Sequence, residues 1–534
     1  MPLFPSDGIG EISPGLSAVR PGRRGHRNMN EGPVHRSVLA LLAIVALLLV
    51  PATASAAGKK GGGSEHVQPP VETSNGALEQ LPGRLGCLSS GTASKRLCGK
   101  ARALKGAGPG VGSRAIAISP DGRNVYVAAS GSDSIAVFDR SPATGALTQP
   151  KGRAGCVAAV AGRAKGAKAC GLAIGLLAPN SVAVSPDGRN VYATSRDGSS
   201  VVTFLRNRRT GALKQLPPSA SGCISGLPIP ACTPGRALQW PDVVVVSPDG
   251  KNVYVGDFAG SGVTSFSRAG KAGALTQLSG TAGCITEAGA EGCAKGVELN
   301  HVEGMAISNS GGAVYTAAAF SSAVGVLTRE TSTGALSQRG CVTSEKVTGC
   351  TLGYEFGGVN AFAVAPKGGD VYATSLTSNS LTTFQRTVGG AGLAQPPGPE
   401  REVEKENGHG KETVPAAEGT PSPNGCTVFL RSPGCAFGVA MEAPEGLDIS
   451  PDGTNVYVAA FETGAIDVFD RNPETGFVAQ KTGTRGCVAP EKVPGCTLGR
   501  ALGAAGSIVV SPDGRNVYST SQKSSAVDIF RRIK

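Results

Sequence analysis

The sequence predicts an all-β protein, a seven-bladed β-propeller whose ring closes by pairing an N-terminal strand with the C-terminal blade. Three observations point there. A turn motif, Ser-Pro-Asp-Gly-x-Asn-Val-Tyr, recurs along the chain, and seven local pairs of cysteines recur with it. The last unit also lacks a final strand, and a segment near the N-terminus matches the missing piece.

The motif stands at Ser119–Tyr126, Ser185–Tyr192, Ser247–Tyr254 and Ser511–Tyr518, nearly unchanged at Ser450–Tyr457. Two degenerate copies, Ser308–Tyr315 and Ala365–Tyr372, complete the set. Pro-Asp-Gly makes a turn, because Asp can bond its own backbone and Gly supplies a positive φ. Around it each unit reads as four strands. In the first unit these are apolar strand A (115–118), strand B (124–127), strand C (134–138) and, after a Thr-Gly turn, strand D (146–149). The last unit stops after its strand C, 526–530. The six residues 75–80 match 144–149, so they are expected to supply the absent strand D. Closure of this kind joins local blade contacts into one cooperative ring.

Gly is abundant (78 of 534 residues) and aromatics make up only 4%, a profile of many short strands joined by turns. The single long apolar run, Val38–Val50, is about 13 residues, too short for a bilayer span of about 20. It follows His35 and Arg36 and leads into Ala54-Ser55-Ala56, so residues 1–56 read as a secretory signal peptide, with Met29 as an alternative start. Arg23 and Arg24 lie far from the apolar run, which favours the general secretory route over twin-arginine export. Residues 57–72 read as a linker, 73–534 as the propeller, and the charged, Pro/Gly-rich stretch 401–423 as a disordered insertion between blades 5 and 6.

The cysteines fall in local pairs: Cys87 with Cys98, Cys156 with Cys170, Cys223 with Cys232, Cys284 with Cys293, Cys341 with Cys350, Cys426 with Cys435 and Cys487 with Cys496. Zinc knuckles use tighter spacing in fours, and beyond the leader only His66, His301 and His409 are available. Seven short-range disulfides in an oxidising compartment are therefore expected, bracing the connections from strand D to the next strand A on the top face of the ring. The net charge of +12 is spread around the repeats without a basic, aromatic-lined groove, so no nucleic-acid partner is expected. The mature protein is expected to be secreted and monomeric, without a membrane span.

Features that repeat in every blade read as construction. These are the strand B tyrosines (Tyr126, Tyr192, Tyr254, Tyr315, Tyr372, Tyr457, Tyr518) and an arginine at the end of strand C (Arg140, Arg206, Arg268, Arg329, Arg386, Arg471, Arg532). A site breaks such symmetry. Five residues before the turn, at the entrance of strand A, the blades carry Arg114, Asn180, Asp242, Glu303, Asn360, Glu445 and Gly506. Innermost strands place this position around the top mouth of the central channel. Arg114, Asn180, Asn360 and Glu445 are candidate ligand contacts. Asp242 and Glu303 are candidate catalytic carboxylates, with His301 beside them as a candidate base. Carboxylate and amide oxygens suit a hard divalent cation such as Ca²⁺, which Asn180, Asp242, Glu303, Asn360 and Glu445 could hold. The plain alternative is a solvated polar rim. No Gly-x-Ser-x-Gly elbow is present, and the glycine run 106–112 precedes a strand with no helix, so it is a loop.

The repeat, Ser-Pro-Asp-Gly-x-x-Val-Tyr-Val followed by a Val-x-Phe/Asp strand and Thr-Gly, resembles the YVTN-type, lactonase-like seven-bladed propellers from Thr73 to Lys534. That resemblance implies the fold. For activity it implies either 6-phosphogluconolactonase-type chemistry or a surface or binding protein. The polar ring is also similar in residue type to the cation cage of gluconolactonase–regucalcin propellers. The leader and cysteine pairs depart from cytosolic lactonases. Two functions follow as expectations: an exported propeller binding a small molecule, glycan or protein through its top face, and a metal-assisted lactone hydrolase.

Overall fold

The computed structural model describes residues 76–533, apart from 93–95, 109–113, 161–168, 388–391, 397–424, 431 and 433–434. The expected leader 1–56, the linker 57–72 and the insertion 401–423 lie outside the described residues. Seven sheets are present, and the innermost strand of each touches that of the next until the seventh meets the first. In blade 1, strand A is Ile116–Ile118, strand B Asn124–Ala129 and strand C Ser134–Arg140, paired antiparallel in that order.

The turn chemistry is as the motif demands. The Ser119 hydroxyl donates to Asp121 Oδ1 at 2.6 Å, which also accepts the Arg123 N–H at 3.2 Å, and Gly122 has φ +68°. Strand D differs from the expected single strand. It is split into Leu147–Thr148, opposite the lower end of strand C, and Cys156–Ala159, opposite the upper end, with a 3₁₀ turn at Gly152–Gly155 between. A fifth strand, Gly171–Ala173, then pairs parallel with the second half. The same plan holds in the other blades, except that blade 4 keeps its strand D continuous, Leu336–Thr343.

All seven expected disulfides form. Cys87 is bonded to Cys98, Cys156 to Cys170, Cys223 to Cys232 and Cys284 to Cys293. Cys341 is bonded to Cys350, Cys426 to Cys435 and Cys487 to Cys496. Their position departs from the expectation. Each bridge ties strand D to the parallel edge strand of the same sheet, or to the residue just before that strand, and only afterwards does the chain cross to the next blade. Cys156 lies opposite Ala136 of strand C, so the bridges sit toward the top of the outer rim, three strands or roughly 15 Å from the channel wall. The braced surface is thus the blade edge, not the mouth. The reason is that the short loop each bridge encloses turns the chain back, so that the residues at or just after its second cysteine add a parallel strand to the same sheet.

Closure by the N-terminal segment is also observed. Leu78–Gln80 pairs antiparallel with Arg532–Phe530, and Cys87–Ser89 and Gly99–Lys100 continue the same sheet, so the first disulfide, Cys87 to Cys98, belongs to blade 7.

The repeating tyrosines and arginines join neighbouring blades. Arg206 Nε of blade 2 donates to the Tyr126 hydroxyl of blade 1 at 2.8 Å, and that hydroxyl donates to the Gly211 carbonyl of blade 2 at 2.9 Å. The Arg206 guanidinium continues to both oxygens of Asp121 and to Asn124 Oδ1. At the closure, Arg140 and Gly145 of blade 1 hold Tyr518 of blade 7 in the same way. The glycine of the Thr-Gly turn is required there. Gly145 has φ +77°, and a Cβ on it would stand 2.1 Å from the Asn516 amide.

A second tie uses the strand D glutamines. Gln149 accepts the Arg102 N–H and donates to the Arg102 carbonyl, clamping the segment that enters its own blade. Gln80, Gln215, Gln277, Gln338, Gln395 and Gln480 repeat this clamp on Arg500, Ile174, Arg236, Val297, Tyr354 and Val439. A buried amide with both partners supplied by backbone specifies one register between blades.

Candidate functional site

Just ahead of strand A in blades 2 to 7, two residues before the ring position, the backbone takes a left-handed conformation. Ala178, Gly358, Ala443 and Ala504 occupy it in blades 2, 5, 6 and 7 with φ between +45° and +66°. Blades 3 and 4 carry Trp240 (φ +54°) and His301 (φ +59°) instead. Bulky side chains pay a steric penalty there, and such positions cluster at binding sites. The carbonyl of this residue accepts the N–H of the first B–C loop residue: Ala178 from Arg196, Trp240 from Phe258, His301 from Ala319. Loop and strand entrance therefore rise together on the top face.

The result is one aromatic patch spanning blades 3 and 4. His301 stacks on Phe320 with ring centroids 3.9 Å apart and meets Phe258 edge-on at 4.1 Å, while Trp240 lies 6.4 Å from Phe258. The Arg196 guanidinium sits 5.3 Å from the Trp240 ring centroid and 4.8 Å from that of Phe258. It also stands 3.9 Å from Asp242 Oδ1, which receives the Asn180 amide at 2.5 Å. Arg196, Asp242, Phe258, Glu303, Phe320 and Thr377 line a cavity of about 570 Å³. Trp240 and Phe320 remain 49% and 67% exposed, so their faces are open to a ligand.

Burial pushes the Asp242 carboxyl up to about 6, against the opposing pull of Arg196 and the Asn180 hydrogen bond. Burial, then the Asp242 charge, lifts Glu303 to about 8 in spite of Arg196. Glu445 is raised to about 8 by burial, with Glu303 and Glu462 adding to it. His301 is held below the usual imidazole range by burial and by Arg196, and its Nδ1 lies 2.6 Å from Asn300 Oδ1. It is a neutral stacking ring here, turned toward Asn300.

The remaining ring positions part company. Arg114 reaches down the bore, where Nη2 donates to the Phe362 carbonyl at 2.8 Å, and with Phe362, Glu445 and Asp448 it lines a cavity of about 50 Å³. Burial lowers its pKa while Asp448 raises it. Asn360 donates to the Pro444 carbonyl and accepts from the Thr374 hydroxyl. Gly506 leaves room for Glu445, whose Oε2 lies 3.4 Å from where a Cβ would be. The five residues expected to cage Ca²⁺ do not form one cage, because Asn360 has both ends of its amide engaged by protein and Asn180 is turned onto Asp242. Among the described residues no three His, Cys, Asp or Glu side chains converge as a metal set. Arg196, Trp240, Phe258 and Phe320 were not anticipated from the ring position. Their signal is the neighbouring column, where small residues give way to Trp and His.

The lifted acids set a pH dependence. Between the ordinary carboxyl range near 4 and the folded values of about 6 to 8, the folded state binds more protons than the unfolded chain, so stability falls as pH rises through that window. The buried Asp257, Asp467 and Asp528, raised by burial, act in the same direction. The turn aspartates act oppositely. Burial opposes the effect, but hydrogen bonds from Ser119 and Arg206 hold Asp121 below its usual value, so its contribution is lost only in acid. Thermal midpoints are expected to be highest near pH 5 and to fall toward pH 8, less steeply in Glu445→Gln. A midpoint independent of pH across this range contradicts the assignment.

The family model described as Lactonase, 7-bladed beta-propeller matches residues 92–154, which hold strands A to C of blade 1 and the first half of its strand D. The chain is a seven-bladed propeller, similar over that stretch to the lactonase family. Solved structures share the architecture at low identity. The periplasmic gluconolactonase of Pseudomonas aeruginosa is 16% identical, with 72% of this chain and 85% of that one covered and a TM-score of 0.42. The hydrazine synthase of Kuenenia stuttgartiensis is 14% identical, covering 79% and 97%, TM-score 0.46. The Cps50 (Swd1) β-propeller domain of Myceliophteria thermophila is 9% identical, covering 80% and 98%, TM-score 0.43. No curated protein matches the chain significantly. The matched segment lies outside the pocket formed by Arg196, Asp242, Glu303 and Phe320.

Proposed function

We propose that this propeller is exported and binds a carbohydrate in the pocket on the top face of blades 2 to 5. The observation that carries the reading is the pairing of the open Phe320 ring with the Arg196–Asp242 ion pair at one cavity, with Trp240 exposed beside it on the far side of Arg196. Sugar rings offer an apolar C–H face to an aromatic ring and vicinal hydroxyls to a planar donor and a carboxylate. A cavity of about 570 Å³ is within the common range for small-molecule sites. Export is supported by the seven disulfides, which persist in oxidising compartments, and by the signal-like leader. Among the described residues no helix is long and apolar enough to cross a membrane. Calorimetric titration with glucose and galactose is expected to show saturable binding at about millimolar affinity. Phe320→Ala is expected to weaken it at least tenfold. Absence of binding by a panel of neutral mono- and disaccharides overturns the reading.

A second reading, hydrolysis of a sugar lactone, draws on the family match and on the two carboxyls that titrate apart, near 6 and near 8. Between these values Asp242 takes a proton from the attacking water, Arg196 faces the developing oxyanion, and Glu303 protonates the ring oxygen as the acyl C–O bond breaks. The product is the open hydroxy acid. Asp242→Asn then abolishes turnover above the uncatalysed rate.

A further inference from the structure

Two carboxyl groups of the ring each keep a buried oxygen without a hydrogen-bond partner among the described residues. Glu303 is 6% exposed and Glu445 4% exposed, and Oε2 of each is buried without a hydrogen bond among the described residues. Glu303 lines the aromatic cavity, and Glu445 reaches over Gly506 at the top of the bore. They stand on either side of Asn360, which is fully engaged, so no side chain between them supplies a donor. The charged groups facing the pair are Asp242, Arg196 and Glu462, and His301 is the nearest titratable ring. Arg196 is committed to Asp242 and the two rings, and Arg114 to the Phe362 carbonyl. Among the described residues no Lys or Arg forms an ion pair with either glutamate.

Buried, unpartnered acceptors are costly, and two acids raise each other's cost further. A primary ammonium seated in the aromatic cavity relieves Glu303, because it donates to the carboxylate and neutralises its charge. Resting on the carbohydrate reading, we propose that Glu303 receives the ammonium group of an amino sugar whose ring stacks on Phe320. Because Glu303 holds a proton near neutral pH in the free protein, seating the ammonium ionises it and releases a proton to solvent.

The test is calorimetry at pH 7 with glucosamine, glucose and N-acetylglucosamine, each in phosphate and in Tris. Glucosamine is expected to bind at least tenfold more tightly than glucose, with a heat that differs between buffers by the release of about one proton. Glu303→Gln is expected to bring glucosamine down to the affinity that the same variant has for glucose. The buffer comparison on the unmodified chain needs no variant to fold. Equal binding of all three sugars, or tighter binding of N-acetylglucosamine, overturns the ammonium site and leaves the carbohydrate reading standing. Absence of binding by any of them overturns both.

Discussion

Arg206→Met lowers the stability of the propeller by about 3–5 kcal/mol, whereas the same substitution at Arg386 lowers it by less than about 1 kcal/mol. Both residues end strand C, and the repeat makes them equivalent. Arg206 is buried and bonds Tyr126, Gly188, Asp121 and Asn124, all at 2.6–2.9 Å. Removing the guanidinium leaves the Asn124 oxygen without its charged donor and the Tyr126 hydroxyl with only its bond to Gly211 in the interface between blades 1 and 2. Arg386 has lost those partners already. Blade 4 carries Asn309 and Ser310 in its turn and Ala313 where the other full motifs have Asn, and Arg386 Nε is buried without a partner. Its tyrosine, Tyr315, is joined to it by no hydrogen bond among the described residues. Urea midpoints of the two variants measure the contrast, and equal losses contradict the role given to the inter-blade tie.

Removing every residue before Gly83 is expected to cost the ring most or all of its stability, which for a domain is only about 5–15 kcal/mol. The missing strand carries Leu78, buried against blade 6 and 7 residues, and the Gly76 carbonyl that accepts the Tyr457 hydroxyl. It also carries Gln80, which clamps Arg500 from both sides. Without them the lower half of strand C in blade 7, Phe530–Arg532, becomes an open edge, while Cys87–Ser89 still covers the upper half. Grafting residues 73–82 after residue 533 places six residues between Arg532 and Leu78, the length of the connection between strands C and D in the other six blades, so the graft should recover the midpoint. A truncated chain as stable as the full one contradicts closure by strand exchange.

The fold was legible because its signals are repeated: a Tyr, an Arg and a cysteine pair recur in each blade, and a Pro-Asp-Gly turn in five of the seven. The disulfide partners were legible from spacing alone, but their place on the blade edge was not. That place depends on the parallel edge strand, and Gly171–Ala173 carries no alternation that sets it apart from a loop. At the site, comparing blades at one position found Asp242 and Glu303 by their broken symmetry. The same comparison could not separate them from Asn360 and Arg114, whose direction depends on carbonyls of other blades, Pro444 and Phe362. The aromatic patch escaped because its members come from two different columns. Trp240 and His301 precede strand A, while Phe258 and Phe320 occupy successive positions of B–C loops, out of register by one residue.

Trp240 is the only tryptophan in the chain, and it lies beside the proposed pocket. Its fluorescence therefore reports from one place. Titration with glucosamine is expected to give a saturable change in Trp240 emission, with the midpoint found by calorimetry, and Phe320→Ala should shift that midpoint at least tenfold. Calorimetric binding that leaves Trp240 emission unmoved would place the sugar elsewhere and contradict the site.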